Sequence, residues 1–164
     1  MNRLRLTLLV LFALVAGFGW LWHRAEQRRP QGSDLEQIQA LVLEARDDAG
    51  RRDASAVLRH VSRHYRDPNG FTYPILARQV RRILAEQDPS IVAEVQSIRL
   101  EAGGERATAD VYVRVTGDPG VAPLPIDTTL HLSLAKEQVR FYVLFPGRQW
   151  KVTAVTGYGV YGEF

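Results

Sequence analysis

Four side chains able to take part in acid–base chemistry or metal binding stand close together in the middle of the sequence: His60, His64, Tyr65 and Asp67. Histidines spaced i, i+4 can chelate a metal ion from one face of a helix, but a zinc site needs further ligands. His131 is predicted on the polar face of a strand, and no carboxylate is clearly placed to join the histidines. We therefore expect no metal site and assign the four residues to the rim of a pocket.

The rest of the sequence lacks the patterns of familiar catalytic sites. It contains no cysteine, which excludes thiol catalysis and cysteine metal sites, and it has no G-x-S-x-G, phosphate-loop or H-E-x-x-H motif. Asp67 opens an Asp-Pro-Asn-Gly segment, which is a strong turn signal. Asp110 and Asp127 fall in phase with polar strand positions. We therefore predict no catalytic residue, no cofactor and no enzymatic activity.

The charge of the chain is unevenly distributed. The whole sequence has a formal net charge of +3, whereas residues 1–29 alone have +4 and residues 30–164 have −1. The basic character therefore belongs to the flanks of one apolar segment. The rest of the chain lacks the excess of positive charge that a nucleic-acid-binding domain carries, so we expect no nucleic-acid partner.

Within the body of the chain, positive charge is concentrated in residues 51–82, which have a net charge of +6. On exposed helix faces these residues would attract anionic lipid headgroups or an acidic partner. The alternative is a solvated surface that acids of the preceding helix neutralise. We expect Arg59, Arg63 and Arg66 to share one helix face. The residues predicted to contact the partner are Arg59, Arg63, Arg66, Arg78, Arg81 and Arg82.

The segment Leu6–Trp22 is a candidate membrane span of 17 residues without a charged side chain. At about 1.5 Å per residue it nearly spans a hydrocarbon core of roughly 30 Å, and flanking arginines can close the gap. We predict a tail at 1–5, a single-pass anchor at 6–24 and a linker at 25–33. A cleaved signal peptide is the alternative.

The orientation of this anchor is predicted from its flanks. Arg3 and Arg5 precede the apolar segment, and Arg24, Arg28 and Arg29 follow it, so the positive charges are almost balanced. A short basic tail before a first apolar segment usually stays in the cytosol. We therefore expect an inner-membrane protein whose C-terminal domain lies in a bacterial periplasm.

The remaining residues, 34–164, predict one α+β domain in which three helices pack on a curved antiparallel sheet. Apolar periodicity indicates helices over about 34–50 and 54–64 and a third from Pro74 to Asp88. After Pro89 the apolar period changes from 3.6 to 2. The alternation slips between Val95 and Ile98, as at a β-bulge, and Gly103-Gly104 predicts a hairpin turn.

The strands after this turn have distinct patterns. Alternate residues from Ala107 to Val115 are apolar and predicted to face the helices, while Tyr112 and its polar neighbours face outward. Alternate residues from Ile126 to Leu134 form a second apolar strand face. The segment Val139–Phe145 is apolar on both sides, which predicts a separate central or doubly covered strand.

In these features the chain resembles the nuclear transport factor 2-like superfamily, which includes ketosteroid isomerases and polyketide cyclases. The resemblance rests on HYRDPNG at 64–70, ATADVYVRV at 107–115 and GRQWKVTAV at 147–155, and it covers roughly residues 34–156. It implies a cone-shaped fold with a pocket. The isomerases carry inward-facing Asp and Tyr residues, whereas the inward strand positions here are Ala, Val, Leu and Ile. With its membrane anchor, the chain also resembles inner-membrane assembly factors of this fold, such as the scaffold subunits of type IV secretion systems. Those subunits are longer than this chain.

Aromatic residues mark a further candidate surface. They either form an association site or belong to a tail that completes the sheet. These residues are Tyr112, Tyr142, Tyr158, Tyr161 and Phe164.

The function predicted from the sequence is a non-catalytic, membrane-anchored interaction or assembly module of the bacterial cell envelope. Its expected partner is another envelope protein or a second copy of the chain. One alternative is a carrier that holds a small apolar ligand in the cone. The other is an isomerase-like or cyclase-like enzyme that uses Tyr65, Asp67 or His64.

Overall fold

The fold is given by a computed structural model that describes residues 32–86, 88–117, 126–141 and 145–157. The predicted tail, the anchor and nearly all of the linker lie outside these residues. Within the described part of the chain, no helix is long and apolar enough to cross a membrane. The main compact unit contains Gly32–Glu137 and the chain from Gln149 onwards, and Gln138–Arg148 fall outside it.

Among the residues that the structure describes, three helices precede four strands, which is an α+β arrangement. The helices are α1 (Asp34–Gly50), α2 (Ala54–Arg59) and α3 (Tyr73–Glu86). The strands are β1 (Ser90–Leu100), β2 (Arg106–Thr116), β3 (Ile126–Phe141) and β4 (Phe145–Thr156).

Helix α1 begins at a capping box. The Ser33 hydroxyl accepts a hydrogen bond from the Glu36 backbone N–H, and the Glu36 carboxylate accepts one from the Ser33 backbone N–H at 2.6 Å. These bonds from Ser33 hold the pKa of the exposed Glu36 carboxyl below its usual value. Ile38, Leu41 and Val42 are buried on the inner face of the helix, whereas Leu35 is 47% exposed.

Helix α2 ends at Arg59, five residues earlier than the sequence predicted. After it, the chain pairs with β4. The Ser62 N–H donates to the Val152 carbonyl at 2.9 Å, and the Arg66 N–H donates to the Thr153 carbonyl at 3.0 Å. These bonds replace the helical ones, and valine and serine, which follow at 61 and 62, are weak helix formers. The predicted single helix face for Arg59, Arg63 and Arg66 was therefore wrong.

The four strands form one antiparallel sheet in the order β1-β2-β3-β4. The pairing of β1 with β2 shifts register between Val95 and Ser97, which is the predicted bulge. Gly103 and Gly104 have φ values of 97° and 67° and make the predicted hairpin turn.

The helices cover one face of this sheet. Ile38 of α1 and Leu58 of α2 share a buried cluster with Ala107, Ala109 and Trp150 of the sheet. Ala109 is 1% exposed, while Thr108 and Arg114 lie on the exposed opposite face. The alternation predicted for β2 is thus confirmed, and the core lies between the helices and the sheet.

The prediction of a separate strand over Val139–Phe145 was wrong. The segment contains the end of β3 and the first residue of β4, and Tyr142–Leu144 lie outside the described residues. The described part of this segment is therefore divided between the ends of two long strands.

Candidate interaction surface

Six exposed arginines lie between the end of α2 and the end of α3. Arg59, Arg63, Arg66, Arg78, Arg81 and Arg82 are all exposed. Within the described ranges, none of the six makes an ion pair, although Arg46, Arg51, Arg114 and Lys136 each pair with an aspartate. We call these six residues the arginine surface.

Most acids of α1 already have partners. Asp34 pairs with Lys136, Asp47 with Arg46, and Asp48 with Arg51, while Glu36 caps its own helix. The alternative in which α1 neutralises the arginine surface therefore finds no support among the described residues.

Helix α3 contributes three of these arginines. Its buried side presents Tyr73, Ala77 and Leu84 to the core. Arg78, Arg81 and Arg82 lie on the opposite, exposed side at helical spacing. Ile75, on the same side, is 42% exposed. The outer side of α3 therefore combines three cations with an accessible apolar group.

The other three arginines lie before α3, around the corner that follows α2. The Arg63 guanidinium stacks over the Tyr73 ring, with 4.4 Å between the guanidinium carbon and the ring centroid. Such a cation–π contact uses the flat face of the guanidinium and leaves its N–H edge available. Arg66 forms an isolated bridge with Thr72, directly before α3. The corner and the start of α3 are therefore adjacent.

The two histidines predicted at a pocket rim do not come together. His60 lies at the end of α2, and its Nε2 is 3.0 Å from Asp48 Oδ2. His64 is exposed, and its backbone N–H donates to the Ser62 hydroxyl at 2.9 Å. Throughout the residues that the structure describes, no cluster of three metal-ligating side chains occurs. His60 and His64 do not form a chelating pair, because the helix ends before His64.

Asp48 is a buried charged residue that the sequence did not reveal. It is 6% exposed and accepts hydrogen bonds from Arg51 at 2.5 Å and from His60. Burial alone would raise the pKa of the Asp48 carboxyl, but the bonds from His60 and Arg51 outweigh it, and the pKa lies below its usual value. Asp48 thus ties the end of α1 to the end of α2.

Tyr65 and Asp67 are buried, with exposures of 3% and 4%. The Tyr65 hydroxyl donates to Asp67 Oδ2 at 3.1 Å, and the Phe71 N–H donates to Asp67 Oδ1 at 2.9 Å. The Gly70 N–H donates to the Asp67 carbonyl at 3.1 Å, so the chain turns where the sequence predicted. The pair lies in the interior, not at an exposed rim, and the Asp67 carboxylate holds the turn together.

The sheet face that meets the helices is apolar. From Ala107 to Val115 and from Leu130 to Leu134, the described inward residues are alanine, valine and leucine. Ala107, Ala109 and Val111 are each at most 2% exposed. Acid–base catalysis in the cone needs an ionisable group that faces it. These two strand segments do not contribute one.

The outer sheet face carries a polar network across three strands. Asp110 Oδ1 is 2.6 Å from His131 Nδ1, and Asp110 Oδ2 accepts from the Ser97 hydroxyl at 2.7 Å. The bonds from His131 and then Ser97 hold the pKa of Asp110 below its usual value. Because Asp110 lies between Ser97 and His131, the histidine does not bond the serine as a catalytic base would.

Tyr112 is the one residue of the predicted aromatic surface that lies in the described part of the chain. It sits on the outer sheet face beside Arg114, which donates to Asp127 at 3.0 Å. A hydrogen bond to Asp127 raises the pKa of the Tyr112 hydroxyl. The rest of that surface, Tyr142, Tyr158, Tyr161 and Phe164, lies outside the described residues.

A second group that sequence reasoning missed joins the corner after α2 to the sheet. The fully buried Ser62 hydroxyl donates to Glu137 Oε1. Lys151 donates to the Arg59 carbonyl and, at 2.9 Å, to Gln149 Oε1. Burial lowers the pKa of the Lys151 amine. Ser62 and Glu137 are 75 residues apart, so no local pattern could have paired them.

No protein-family model matches the sequence, and no curated protein matches it. Solved structures do match the fold. A ketosteroid isomerase-like protein from Erwinia carotovora aligns with 13% identity and a TM-score of 0.56, over 76% of this chain and 95% of that one. A nuclear transport factor 2-like protein from Cytophaga hutchinsonii aligns with 12% identity and a TM-score of 0.56, over 77% and 98%. The domain therefore has the nuclear transport factor 2-like fold.

A domain of unknown function with a cystatin-like fold, from Nostoc punctiforme, aligns with 13% identity and a TM-score of 0.57, over 77% of each chain. Such low identities establish a shared fold and leave activity open, since this fold architecture carries unrelated functions.

Proposed function

We propose that the chain is a non-catalytic interaction module of the bacterial cell envelope. Residues 6–24 anchor it in the inner membrane, residues 34–164 lie in the periplasm, and the arginine surface binds an acidic segment of a protein partner. The observation that carries this proposal is the set of six exposed arginines without a carboxylate partner among the described residues.

Exposed cations that lack partners contribute little to folding stability. Arginine is, however, well suited to recognition, because its planar guanidinium presents N–H donors in a fork that matches a carboxylate. The exposed Ile75 beside Arg78 adds an apolar contact. An acidic partner segment with an apolar residue would complement both features.

The position of α3 favours a protein partner over lipid headgroups. Helix α1 begins at Asp34, next to the proposed linker, and its 17 residues rise about 25 Å. Just after it, Arg52 donates to the Leu84 and Ala85 carbonyls at 2.9 and 2.7 Å, near the end of α3. That end of α3 therefore lies about one helix length from the entry of the linker. Electrostatic attraction between exposed charges is screened over about 10 Å. The arginines at the end of α3 are therefore too far from the linker entry for a membrane at that point to attract them strongly.

A binding assay with the full-length protein in neutral-lipid nanodiscs tests this surface. The probe is a fluorescein-labelled polyglutamate peptide followed by anisotropy. We expect R78E/R82E to weaken binding about tenfold, and added salt to weaken binding of the unmodified protein. The matched control is R99E/R106E, which makes the same charge change at exposed positions of β1 and β2.

Equal weakening by both double variants would overturn the proposed surface, because net charge alone would then account for binding. A second arm replaces the peptide with anionic-lipid nanodiscs and follows amide hydrogen exchange. Protection of Tyr73–Glu86 in those discs alone would assign the surface to headgroups and overturn the protein partner. Orientation is tested by a reporter fused after Phe164, and activity of a cytosol-only reporter would overturn the periplasmic placement.

A carrier of a small apolar ligand is the second candidate. Ala93, Ala107 and Ala109 belong to the buried cluster on the inner sheet face. They favour this candidate, because a ligand between sheet and helices would need small side chains there. The fold likeness to a ketosteroid isomerase-like protein is compatible with this role. Native mass spectrometry of the full-length protein in mild detergent separates the two candidates. A retained lipophile would favour the carrier, and a stoichiometric protein partner would favour the interaction module.

A further inference from the structure

The two edges of the sheet differ in the described part of the chain. The edge at β4 is covered by the segment that follows α2: the Val152 N–H donates to the His60 carbonyl, and the Ser62 N–H donates to the Val152 carbonyl, both at 2.9 Å. Strand β1 forms the other edge, and among the described residues it pairs with β2 alone. Its 11 residues therefore leave a long row of backbone groups open to pairing.

Strand β1 lacks most of the features that protect an edge strand. Natural edge strands are often short or carry proline or lysine, whereas β1 is long and contains neither residue. It also exposes apolar side chains near both ends, with Val92 46% and Leu100 41% exposed. One protective feature is present, a bulge at which Gln96 is the extra residue. The edge is therefore suited to the addition of a strand from another chain.

The bulge sets the direction of two opposite charges. Glu94 and Arg99 are five residues apart, so on a regular strand their side chains would point to opposite faces. Because Gln96 is inserted between them, their partners on β2 are Tyr112 and Thr108, which both lie on the outer sheet face. Glu94 and Arg99 are exposed, and within the described ranges neither makes an ion pair. The outer side of β1 thus presents one free acid and one free base.

Ser97 lies midway between these two charges when positions are counted along β2, where the partner of each charge is two residues from the partner of Ser97. Two copies of β1 that run antiparallel about a two-fold axis at Ser97 therefore place Glu94 of each copy opposite Arg99 of the other. The same register sets Val95 opposite Ile98. Opposite charges and apolar pairs across neighbouring strands are favourable, so the edge is complementary to a second copy of itself.

We propose that β1 pairs with β1 of a second copy of the chain, antiparallel and centred on Ser97, and that the two sheets join into one continuous sheet. The bulges at Gln96 interrupt the shared edge near the axis, so the backbone bonds between the copies lie within residues 91–95 and 98–100. None of the six residues of the arginine surface lies in β1. Nanodiscs that hold one copy of the chain therefore measure peptide binding separately from this pairing.

Cross-linking tests the pairing in the full-length protein in neutral-lipid proteoliposomes, because the chain has no native cysteine. Ser97→Cys places a thiol on the proposed axis, opposite the same thiol of the second copy. Ser133→Cys is the matched control, because Ser133 is exposed on β3, away from the β1 edge. With a short bifunctional maleimide we expect covalent dimers of Ser97→Cys and few of Ser133→Cys. The reverse result would place the contact on the outer sheet face and overturn the edge pairing, as would the absence of dimers from both variants.

Charge reversal in the Ser97→Cys background tests the register. Glu94→Arg sets two pairs of arginines opposite each other, and Arg99→Glu sets two pairs of carboxylates, so we expect each to reduce the cross-linked dimer about tenfold. A mixture of the two variants restores both opposite-charge pairs. The mixed dimer, identified by its mass, should then form in preference to either like dimer.

The variant E94R/R99E guards against loss of folding in either single reversal. It restores both charge pairs between identical chains, so it should cross-link as efficiently as the Ser97→Cys background, and circular dichroism checks that each variant is folded. Unchanged cross-linking in the folded single reversals would overturn the proposed register. The same conclusion would follow if the mixed dimer were not preferred, or if E94R/R99E were folded but failed to cross-link.

Discussion

At the scale of single residues, the domain keeps few charges inside and satisfies those it keeps. Asp48 and Asp67 are both almost fully buried, and each accepts hydrogen bonds from at least two donors. Among the described residues, no buried side-chain nitrogen or oxygen lacks a hydrogen-bond partner. A buried carboxylate that is satisfied in this way stabilises the connection that it makes, and removing its charge leaves the donors unpaired.

Asp48→Asn should destabilise the fold by about 1–3 kcal/mol near neutral pH, because Arg51 and His60 lose a charged acceptor. The folded-state pKa of Asp48 lies below its ordinary value. Its contribution is therefore present above about pH 4 and is lost as the pH falls through the folded-state pKa. Chemical unfolding in detergent, repeated from strongly acidic to neutral pH, measures the difference between the two proteins.

The unmodified protein and the Asp48→Asn variant should become equally stable at the acidic end of that range. Asp47→Asn is the matched control, because Asp47 makes only an exposed pair with Arg46, and such pairs contribute about 0–1 kcal/mol. A stability difference that persists unchanged into acid would contradict the role given to the Asp48 charge.

At the scale of elements, the helices are joined by specific side chains as well as by packing. Arg52 follows α1 with a φ of 59°, which is rare for a residue other than glycine. Its side chain donates to the Leu84 and Ala85 carbonyls near the end of α3, where helical carbonyls lack partners of their own. One arginine therefore turns the chain after α1 and caps α3.

Two substitutions separate these roles. Arg52→Ala should destabilise the fold by about 1–3 kcal/mol, because it removes the cap and keeps the left-handed backbone. Arg52→Gly should cost about 1 kcal/mol less, because glycine adopts positive φ without strain. Thermal unfolding of the full-length protein followed by circular dichroism compares them. A glycine variant as unstable as the alanine variant would show that backbone strain at Arg52 is negligible.

At the scale of the whole molecule, the alanines of the sheet decide between a packed core and a ligand-holding cone. Ala109 is 1% exposed and belongs to the same buried cluster as Trp150 and Ile38. If protein side chains fill this space, a larger side chain at position 109 cannot be accommodated without strain. If a ligand occupies it, the larger side chain replaces the ligand.

Ala109→Leu should therefore lower the stability of an interaction module by about 1–3 kcal/mol through overpacking. Serine at the same position, a smaller change, should cost less. Unfolding by urea in detergent measures both variants, together with mass spectrometry of any retained lipophile. Normal stability with loss of a bound lipophile would instead establish the carrier.

Much of the architecture followed from the sequence alone, because it depends on neighbouring residues. The capping box at Ser33, the bulge after Val95, the turn at Gly103-Gly104 and the inward alternation of β2 are all set by local periodicity and turn chemistry. The same signals predicted the α+β class. The same local pattern predicted an α2 that was too long. The backbone bonds that end this helix come from β4, some 90 residues later in the chain.

The candidate site depended on the tertiary structure. The sequence placed positive charge in residues 51–82, but only packing showed that most acids of α1 are engaged elsewhere and that the arginines are left unpaired. The tertiary structure also places Tyr65 and Asp67 in the interior, whereas the sequence had predicted them at the rim of a pocket. The physical reason is range: helix and turn preferences act over a few residues, whereas burial and charge pairing depend on side chains that folding brings together from distant parts of the chain.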